Sequence, residues 1–402
     1  MTADLLIIGK YLLTQDAGQT VIEDGGLVIR GDTIIETGPA AELSGRYPGA
    51  ELLVEEHGLI MPGLVNALSQ AALSGDGSVG ADQAARLTEE AAYDAALLVQ
   101  AAMIKSGTTS FCLTGRFVRQ IAKAAARTGM RGWLGAPVPA RADDRQGAVA
   151  RRDIDEICRL NEQYPLITGF VCLPPPWSRA TELRQGLRKA AADRKVFSLV
   201  YLPENRVAAR QLRERIGCWP VVYLERLGLL DQHLVVAPCV ALAPAEIELI
   251  VKHQVKVVHC PQDDLETGTG ISPLPELLTA GVAIGLGSGP GTLACNLDMF
   301  GAMNMAAKLQ KLQTLDPTVL KAAAALAMAT RGGAAVLAAG ERLGSLAPGR
   351  KADLIILDLN QPHLTPLYNI PSHLVYAARG ADVIHSVING RVVMRNRRLT
   401  MM

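Results

Sequence analysis

Both ends of the chain carry short apolar runs of the kind that form β-strands. Near the N-terminus these runs cover residues 5–8, 27–30 and 33–36, and Gly31-Asp32 between the last two is typical of a hairpin turn. Near the C-terminus they cover residues 352–357, 383–389 and 391–394. Because neither terminal segment alone has enough strands to bury a face, we expect the two segments to complete one small β-sandwich.

The middle of the chain alternates apolar runs of four to eight residues with helical stretches. Eight such runs can be counted, at residues 60–66, 109–113, 131–135, 168–173, 196–202, 234–239, 255–260 and 282–287. Helical patterns lie between and after them, for example at residues 84–105, 179–193 and 317–339. This alternation favours an α/β fold with a (β/α)8 barrel. We therefore assign residues 59–343 to the barrel and residues 1–58 and 344–402 to the composite sandwich.

Charge and apolar content exclude several classes of partner. The 402 residues hold 40 Lys and Arg against 39 Asp and Glu, so a net charge of +1 gives no field that would gather nucleic acid. No apolar run approaches the roughly 20 residues that span a bilayer, and the first residues lack the basic start of a signal peptide. We expect a cytoplasmic protein with no membrane partner.

The cysteines and histidines do not form a local metal-binding pattern. None of the seven cysteines stands in a C-x-x-C pair, which argues against a zinc knuckle, an iron–sulfur cluster or a disulfide framework. The seven histidines include no H-x-H, H-x-x-x-H or H-E-x-x-H. The spacing alone therefore predicts no metal and no cofactor.

In a barrel of this type the reactive groups follow the C-terminal ends of the strands, and several segments there form a distinctive set. They are MPGLVNA at 61–67, SGTTSF at 106–111, HCPQDD at 259–264, GISPLPELLTAGV at 270–282 and LGSLAPGRKADLIILD at 343–358. Together they resemble the amidohydrolase superfamily, in particular its methylthioadenosine/S-adenosylhomocysteine deaminases and triazine chlorohydrolases. The resemblance implies a fold built for metal-assisted hydrolysis, and a homodimer or larger homo-oligomer.

The chain departs from this family at every metal-ligand position. Where the family has H-x-H after strand one, this chain has Leu68 and Gln70. Tyr201 stands for the strand-five histidine, Pro238 for the strand-six histidine and Gly289 for the strand-eight aspartate. Leucine, proline and glycine side chains have no donor atom for a metal, and neutral tyrosine is a poor ligand. We therefore expect the metal site to be lost.

Other side chains are expected to line the former site. The resemblance places the five residues at the ligand positions in this pocket. It adds six further side chains: Trp177, Glu204, His259, Asp263, Asp264 and Ser288. Glu204 and His259 would form an acid/base pair with Tyr201 as a third donor, or His259 is a structural residue with internal hydrogen bonds. Because neighbouring strand residues face opposite sides, we expect His259 rather than Cys260 to face the pocket, which leaves Cys239 as the only thiol nucleophile to consider.

Two functions are compatible with this pattern. The first is an amidohydrolase-fold protein that has lost the catalytic metal site, a pseudoenzyme that binds a small heteroaromatic ligand or serves as a structural or regulatory partner of an active paralogue. The alternative is a diverged hydrolase that acts on C–N bonds in the manner of a deaminase or chlorohydrolase. Such an enzyme would work without metal or with metal ligands that the sequence does not reveal.

Overall fold

The structure, a computed structural model, describes residues 3–70, 88–136, 138, 154–178, 180–289 and 297–401, without the side chain of Gln70. The strands are β1 (Leu5–Leu13), β2 (Val21–Arg30), β3 (Thr33–Pro39), β4 (Glu51–Pro62), β5 (Leu64–Gln70), β6 (Thr108–Thr114), β7 (Arg131–Gly135), β8 (Ile167–Gly169), β9 (Val171–Cys172), β10 (Ser198–Tyr201), β11 (Leu234–Ala237), β12 (Lys256–His259), β13 (Ile284–Leu286), β14 (Leu354–Asp358), β15 (Val383–Ile388), β16 (Arg391–Arg395) and β17 (Arg398–Leu399).

The helices are α1 (Ala40–Arg46), α2 (Glu89–Lys105), α3 (Val118–Thr128), α4 (Leu160–Gln163), α5 (Thr181–Asp193), α6 (Arg206–Ile216), α7 (Pro220–Arg226), α8 (Pro244–Lys252), α9 (Pro261–Glu266), α10 (Leu274–Thr279), α11 (Met299–Thr314), α12 (Ala322–Ala327), α13 (Gly333–Val336) and α14 (Ile370–Tyr376). A π-helical turn, Met328–Gly332, joins α12 to α13. Local sequence explains the helix ends: the Thr88 hydroxyl caps α2 by accepting a hydrogen bond from the Ala91 N–H at 3.2 Å. The first residues of the predicted helix, 84–87, lie outside the described part.

Strands from both termini form one eight-stranded mixed sheet, in the order β17-β16-β15-β14-β4-β1-β2-β3. β1 pairs parallel with β4, and β4 pairs antiparallel with β14, where Ile60 is opposite Ile356. The sheet folds back on itself, because the N–H of Ile34 in the edge strand β3 donates to the carbonyl of Arg350 just before β14. The predicted union of the two terminal segments is therefore confirmed.

The barrel consists of two parallel sheets, β5 to β8 and β9 to β13. Phe170 separates β8 from β9, and its N–H donates to the Leu134 carbonyl of β7, so β8 and β9 together are the fourth barrel strand. At the other seam Ser69 of β5 bridges to Gly289, just beyond β13, which brings the first strand next to the eighth. The predicted α/β class, with a (β/α)8 barrel and a further sheet from both termini, is confirmed.

Side chains from successive strands pack together inside the barrel. We call this group the lumen cluster; its strand-derived members are Val65, Ala67, Leu68, Cys112, Trp133, Phe170, Cys172, Leu199, Val235, Ala237, Val258 and Cys260, with Tyr201 packed against them. Alternate residues of the same strands, such as Val236 and Val257, belong instead to the layer between strands and helices. This division shows which residues of each strand face the interior of the barrel.

The first barrel strand lies further along the chain than the sequence predicts. Residues 60–66 were predicted as one strand, but Ile60 and Met61 pair with β14 in the terminal sheet. The chain breaks at Gly63, where a Cβ atom would overlap the side chain of Thr109, and β5 begins at Leu64. We retain the division at residue 59 as a proposal, with β4 running on to Pro62.

Candidate functional site

The candidate site is the mouth of the barrel, at the C-terminal ends of β5 to β13. Leu68, at the first ligand position of the resemblance, is 1% exposed and belongs to the lumen cluster. Its backbone carbonyl accepts a hydrogen bond from the Gly289 N–H at 3.0 Å. Leu68 therefore contributes an apolar surface to the floor of the mouth. The side chain of Gln70, the second ligand position, lies outside the described part.

Tyr201 reaches from the fifth barrel strand to the second. Its hydroxyl lies 2.9 Å from the Thr114 hydroxyl at the end of β6, within hydrogen-bond distance. Burial, with smaller contributions from Cys172 and its neighbours, raises the pKa of Tyr201 well above its ordinary value. The phenol is therefore neutral at physiological pH, and its hydroxyl is engaged with Thr114.

Gly289, the strand-eight ligand position, cannot accept a side chain in this arrangement. Its φ is +90°, and a Cβ atom there would lie 2.8 Å from the Cγ atom of Asp263 and closer still to its Cβ. Gly285 and Gly287 precede it on the same face, and a Cβ on Gly287 would meet the backbone of Leu68. The Asp263 side chain thus occupies the volume into which a residue at 289 would point.

Ser288 has a structural role at the seam of the barrel. Its N–H donates to Oδ1 of Asn66 at 3.0 Å, and Nδ2 of Asn66 donates back to the Ser288 hydroxyl at 2.9 Å. All these polar groups are buried. Because the pair joins β5 to the end of β13, it holds the first and eighth strands together rather than facing a ligand.

The expectation that His259 faces the pocket does not fit the strand alternation. Val258 and Cys260 belong to the lumen cluster, so His259 points with Val257 into the layer between strands and helices. There its Nδ1 lies 3.3 Å from Oδ2 of Asp264, and neither ring nitrogen has a hydrogen bond among the described residues. His259 is 1% exposed. Its placement is that of a buried structural residue.

Cys239 is also unsuited to nucleophilic chemistry. It packs in the layer outside the barrel, is 1% exposed, and burial raises the pKa of its thiol far above the ordinary value. The thiolate, which is the reactive form, is therefore scarce.

The remaining predicted residues lie at the rim. Glu204 is exposed and immediately precedes Asn205, whose side chain caps α6 by accepting from the Ala208 N–H at 2.9 Å. Trp177 lies half-buried in the loop after β9, and Pro238 follows β11 through a cis peptide bond with Ala237. The structure does not bring Glu204 and His259 together as a pair: neither a hydrogen bond nor an ion pair joins them in the described part of the chain.

Asp263 is a partly buried carboxyl group at the mouth with a raised pKa. Burial, followed by the charges of Asp264, Glu266 and Glu204, raises its pKa to about 6. Within the described residues its carboxyl group has no hydrogen-bond or ion-pair partner. Perturbed acids at the mouth of a barrel are typical of functional sites.

Sequence reasoning missed two residues of this region. Thr114 lies one residue beyond the strand predicted at 109–113, and its contact with Tyr201 spans the barrel and has no local signal. Asn66 lies in the VNA segment that carried the resemblance, and its amide pairs with a residue 222 positions away. Both contacts form only when the barrel closes. The sequence predicts the order of the strands, but not which side chains meet across the closed barrel.

The described residues do not fit a catalytic metal. No group of three or more His, Cys, Asp or Glu side chains converges in the described ranges. Four of the five ligand positions can be described. Leu68 packs in the lumen cluster, and the neutral Tyr201 phenol lies within hydrogen-bond distance of Thr114. The third position is Pro238, and the fourth is Gly289, where Asp263 occupies the space that a side chain would need. These groups offer no set of donors for zinc.

Comparison with protein families matches the Amidohydrolase family at residues 59–393, and an imidazolonepropionase-like composite domain of bacteria at residues 25–50. The chain belongs to the amidohydrolase family. This confirms the resemblance drawn from the sequence motifs at the level of the family.

Among curated proteins, a 5-methylthioadenosine/S-adenosylhomocysteine deaminase of Syntrophobacter fumaroxidans is 37% identical over 100% of this chain and 95% of its own length. A 5'-deoxyadenosine deaminase of Methanosarcina barkeri is 32% identical over 98% and 94%. Among solved structures, an adenosine deaminase from Xanthomonas campestris with bound zinc matches with a TM-score of 0.90 and 29% identity, covering 100% of this chain and 95% of that one.

Atrazine chlorohydrolase TrzN from Arthrobacter aurescens, complexed with zinc, shares the fold with a TM-score of 0.85 at 22% identity, over 99% of this chain and 97% of its own. In the part of this chain that the structure describes, no helix is both long and apolar enough to cross a bilayer.

Proposed function

We propose that this protein binds a small purine-nucleoside-like molecule at the barrel mouth and does not hydrolyse it through a metal-bound water. The observation that carries the proposal is the state of the ligand positions. Leu68 is packed in the lumen cluster, and the Tyr201 hydroxyl is engaged with Thr114. The ligand class is taken from the adenosine derivatives in the names of the relatives.

The energetic consequence of losing the metal is large. A catalytic metal lowers the pKa of bound water from 15.7 to about 7, which favours hydroxide formation by about 12 kcal/mol. General acid–base catalysis by a positioned side chain contributes only about 10²–10⁴-fold, or roughly 3–5 kcal/mol. The exposed Glu204 and the partly buried Asp263 do not replace the missing activation.

The second candidate is a hydrolase that acts on C–N bonds, and the comparisons favour it over a loss of catalysis. The relatives at 37% and 32% identity are named as deaminases and align over nearly the whole chain. Two carboxyl groups, Glu204 and Asp263, lie at the mouth near enough for the charge of Glu204 to raise the pKa of Asp263. A carboxyl group that accepts a proton and one that donates a proton can together catalyse hydrolysis by general acid–base chemistry.

One set of measurements separates the two candidates. Isothermal titration with 5-methylthioadenosine and S-adenosylhomocysteine is combined with an assay of ammonia release over many hours. Binding without ammonia release supports the proposal. Release that disappears in Glu204→Gln, which keeps the size of the side chain and removes its charge, contradicts the proposal and establishes the hydrolase. Absence of binding by both ligands overturns the proposal.

Assembly remains an inference from the resemblance. We propose a homodimer or larger homo-oligomer and, for a binding protein, an active paralogue as a partner. Sedimentation of the purified chain alone and mixed with a deaminase from the same cell tests this: a single monomeric species in both samples would refute it.

A further inference from the structure

The side chain of Asp263 lies above the floor of the mouth on the side of the eighth strand. Every second residue from Gly285 to Gly289 is a glycine, and the three glycines lie on one face of the strand and its extension. A Cβ atom added at each of them would contact, in this order, Ala67, Leu68 and Asp263. This series runs from the lumen cluster to the mouth. The Asp263 side chain therefore lies beside the mouth-side end of this series, next to Gly289.

The surroundings of this carboxyl group favour contact with a ligand over a structural role. Asp264, the next residue, has partners inside the protein: its Oδ1 accepts from the Thr269 hydroxyl at 3.1 Å, and its Oδ2 faces His259. Asp263 has no such partner among the described residues, although it is partly buried. Buried polar groups ordinarily find a hydrogen-bond partner, so a free carboxyl at a mouth is suited to one that arrives with the ligand.

We infer that Asp263 recognises the edge of an aminoheterocycle at which a ring nitrogen stands next to an exocyclic amino group. In its neutral form the carboxyl O–H donates to the ring nitrogen while its carbonyl oxygen accepts from the amino group, so that two parallel hydrogen bonds form. This inference rests on the proposed function and names the residue that selects the ligand within it.

The acid–base state of Asp263 agrees with this geometry. Its pKa of about 6 leaves an appreciable neutral fraction near neutrality, unlike an ordinary aspartate. The charged groups that act on it are Asp264 and Glu266 on its own helix and Glu204 on the loop after β10. Among the described residues, Gly289 faces Asp263 from the end of the eighth strand and does not titrate.

The test is titration calorimetry of the full chain with 5-methylthioadenosine between pH 5 and pH 8, with two substitutions at position 263. Since the ligand pairs with the neutral acid, wild-type affinity is highest near pH 5 and falls at least tenfold by pH 8. Asp263→Asn presents the same donor and acceptor without titrating, as asparagine does toward adenine, so it binds without pH dependence. Asp263→Leu loses at least tenfold at pH 5.

Two controls complete the design. Leu265→Gln changes an exposed residue of the same helix, 48% exposed, and leaves the affinity within twofold of wild type. The 6-oxo analogue of the ligand carries a proton on the ring nitrogen and an acceptor oxygen in place of the amino group. A neutral carboxyl and an amide can both turn over to pair with it, so wild type at pH 5 and Asp263→Asn each bind the two ligands with similar affinity.

The outcomes distinguish this inference from the proposal on which it rests. If wild type binds 5-methylthioadenosine and a folded Asp263→Leu variant binds it equally well, Asp263 is not the contact, although the proposed function stands. If Asp263→Asn keeps the wild-type pH dependence, another group titrates and the inference is wrong. If wild type does not bind the ligand at any pH, both fail. Thermal melting of each variant establishes that it is folded.

Discussion

A buried charge at the N-terminal end of the barrel is fully paired, whereas a partly buried acid at the C-terminal end has no partner among the described residues. At the N-terminal end, Nε of Arg131 in β7 donates to Oδ2 of Asp353 at 2.8 Å, and its terminal nitrogen donates to Oδ1 of Asp353 and of Asn389. The Asn389 N–H donates to the same carboxylate. At the C-terminal end, Asp263 is partly buried with no partner in the described part of the chain. The contrast separates a charge that holds the structure together from one that is left available.

The partners also explain why the ends differ. Arg131 joins the barrel to the terminal sheet through Asp353, beside β14, and Asn389, beyond β15, so both charges are buried between two packed layers. Buried charges are tolerated there because each is paired and hydrogen-bonded. At the mouth, Asp263 has no partner among the described residues. An unpaired acid costs stability at this end, and under our proposal it recognises the ligand.

The largest expected effect is at the paired end. Arg131→Met removes the cation and leaves Asp353 buried, with a side chain only 4% exposed, so the free energy of unfolding falls by about 3–5 kcal/mol. Urea denaturation measures this change. Arg395→Ala, which breaks the exposed ion pair with Glu51, provides the matched control with a loss of at most about 1 kcal/mol. Equal losses in the two variants would contradict the contrast.

Gly289→Ala tests the crowding above the floor. The new methyl group meets Asp263, and φ of +90° is strained for alanine, so we expect a loss of about 2–4 kcal/mol. Gly281→Ala is a matched control, because φ there is +77° and no atom lies within 4 Å of the added methyl group. It should cost only the backbone strain, about 1 kcal/mol. Similar losses would mean that Asp263 does not occupy this volume.

Asp263→Asn tests the cost of the free acid. Because the pKa in the folded chain, about 6, lies above the ordinary value of 3.8, Asp263 favours folding below pH 4 and this contribution is lost as the pH rises to 6. Solvent screening reduces the effect to about 1–2 kcal/mol. The change in free energy of unfolding caused by Asp263→Asn should therefore be more favourable at pH 7.5 than at pH 4. A pH-independent difference in denaturation midpoint would refute the raised pKa.

The smallest expected effect concerns the contact across the barrel. Tyr201→Phe and Thr114→Val each remove one partner of the 2.9 Å contact, at a cost of about 0.5–1.5 kcal/mol. The double variant should lose little more than either single variant, so that the double-mutant cycle gives a coupling of about 1 kcal/mol. Additive losses would show that the two hydroxyls do not interact.

The sequence predicts the fold well wherever a strand is bounded by clear breaks. The third barrel strand was predicted at residues 131–135 and runs from Arg131 to Gly135. The first was misplaced because the apolar run continues through Gly63, and only the pairing of Ile60 with β14 shows that its first part belongs to the other sheet. Apolar periodicity cannot assign one run to two sheets.

The candidate site was predicted less completely, for reasons of direction and distance. The alternation of side chains along a strand shows that His259 and Cys260 face opposite sides of the sheet. It does not show which of them faces the barrel interior, because that depends on how β12 pairs with its neighbouring strands. Asp263 was one of several polar residues in the sequence. Its position above Gly289 follows from the packing of α9 against the end of the eighth strand, which no local pattern encodes.

The central claim, that the mouth is a binding site without the family's metal, is tested most directly by metal content. Protein made without a histidine tag is equilibrated with zinc, passed through a desalting column, and analysed by inductively coupled plasma mass spectrometry per chain. The account predicts far less than one zinc ion per chain, unchanged by Tyr201→Phe. Close to one equivalent of tightly held zinc, iron or manganese would contradict it and establish that the chain supplies metal ligands.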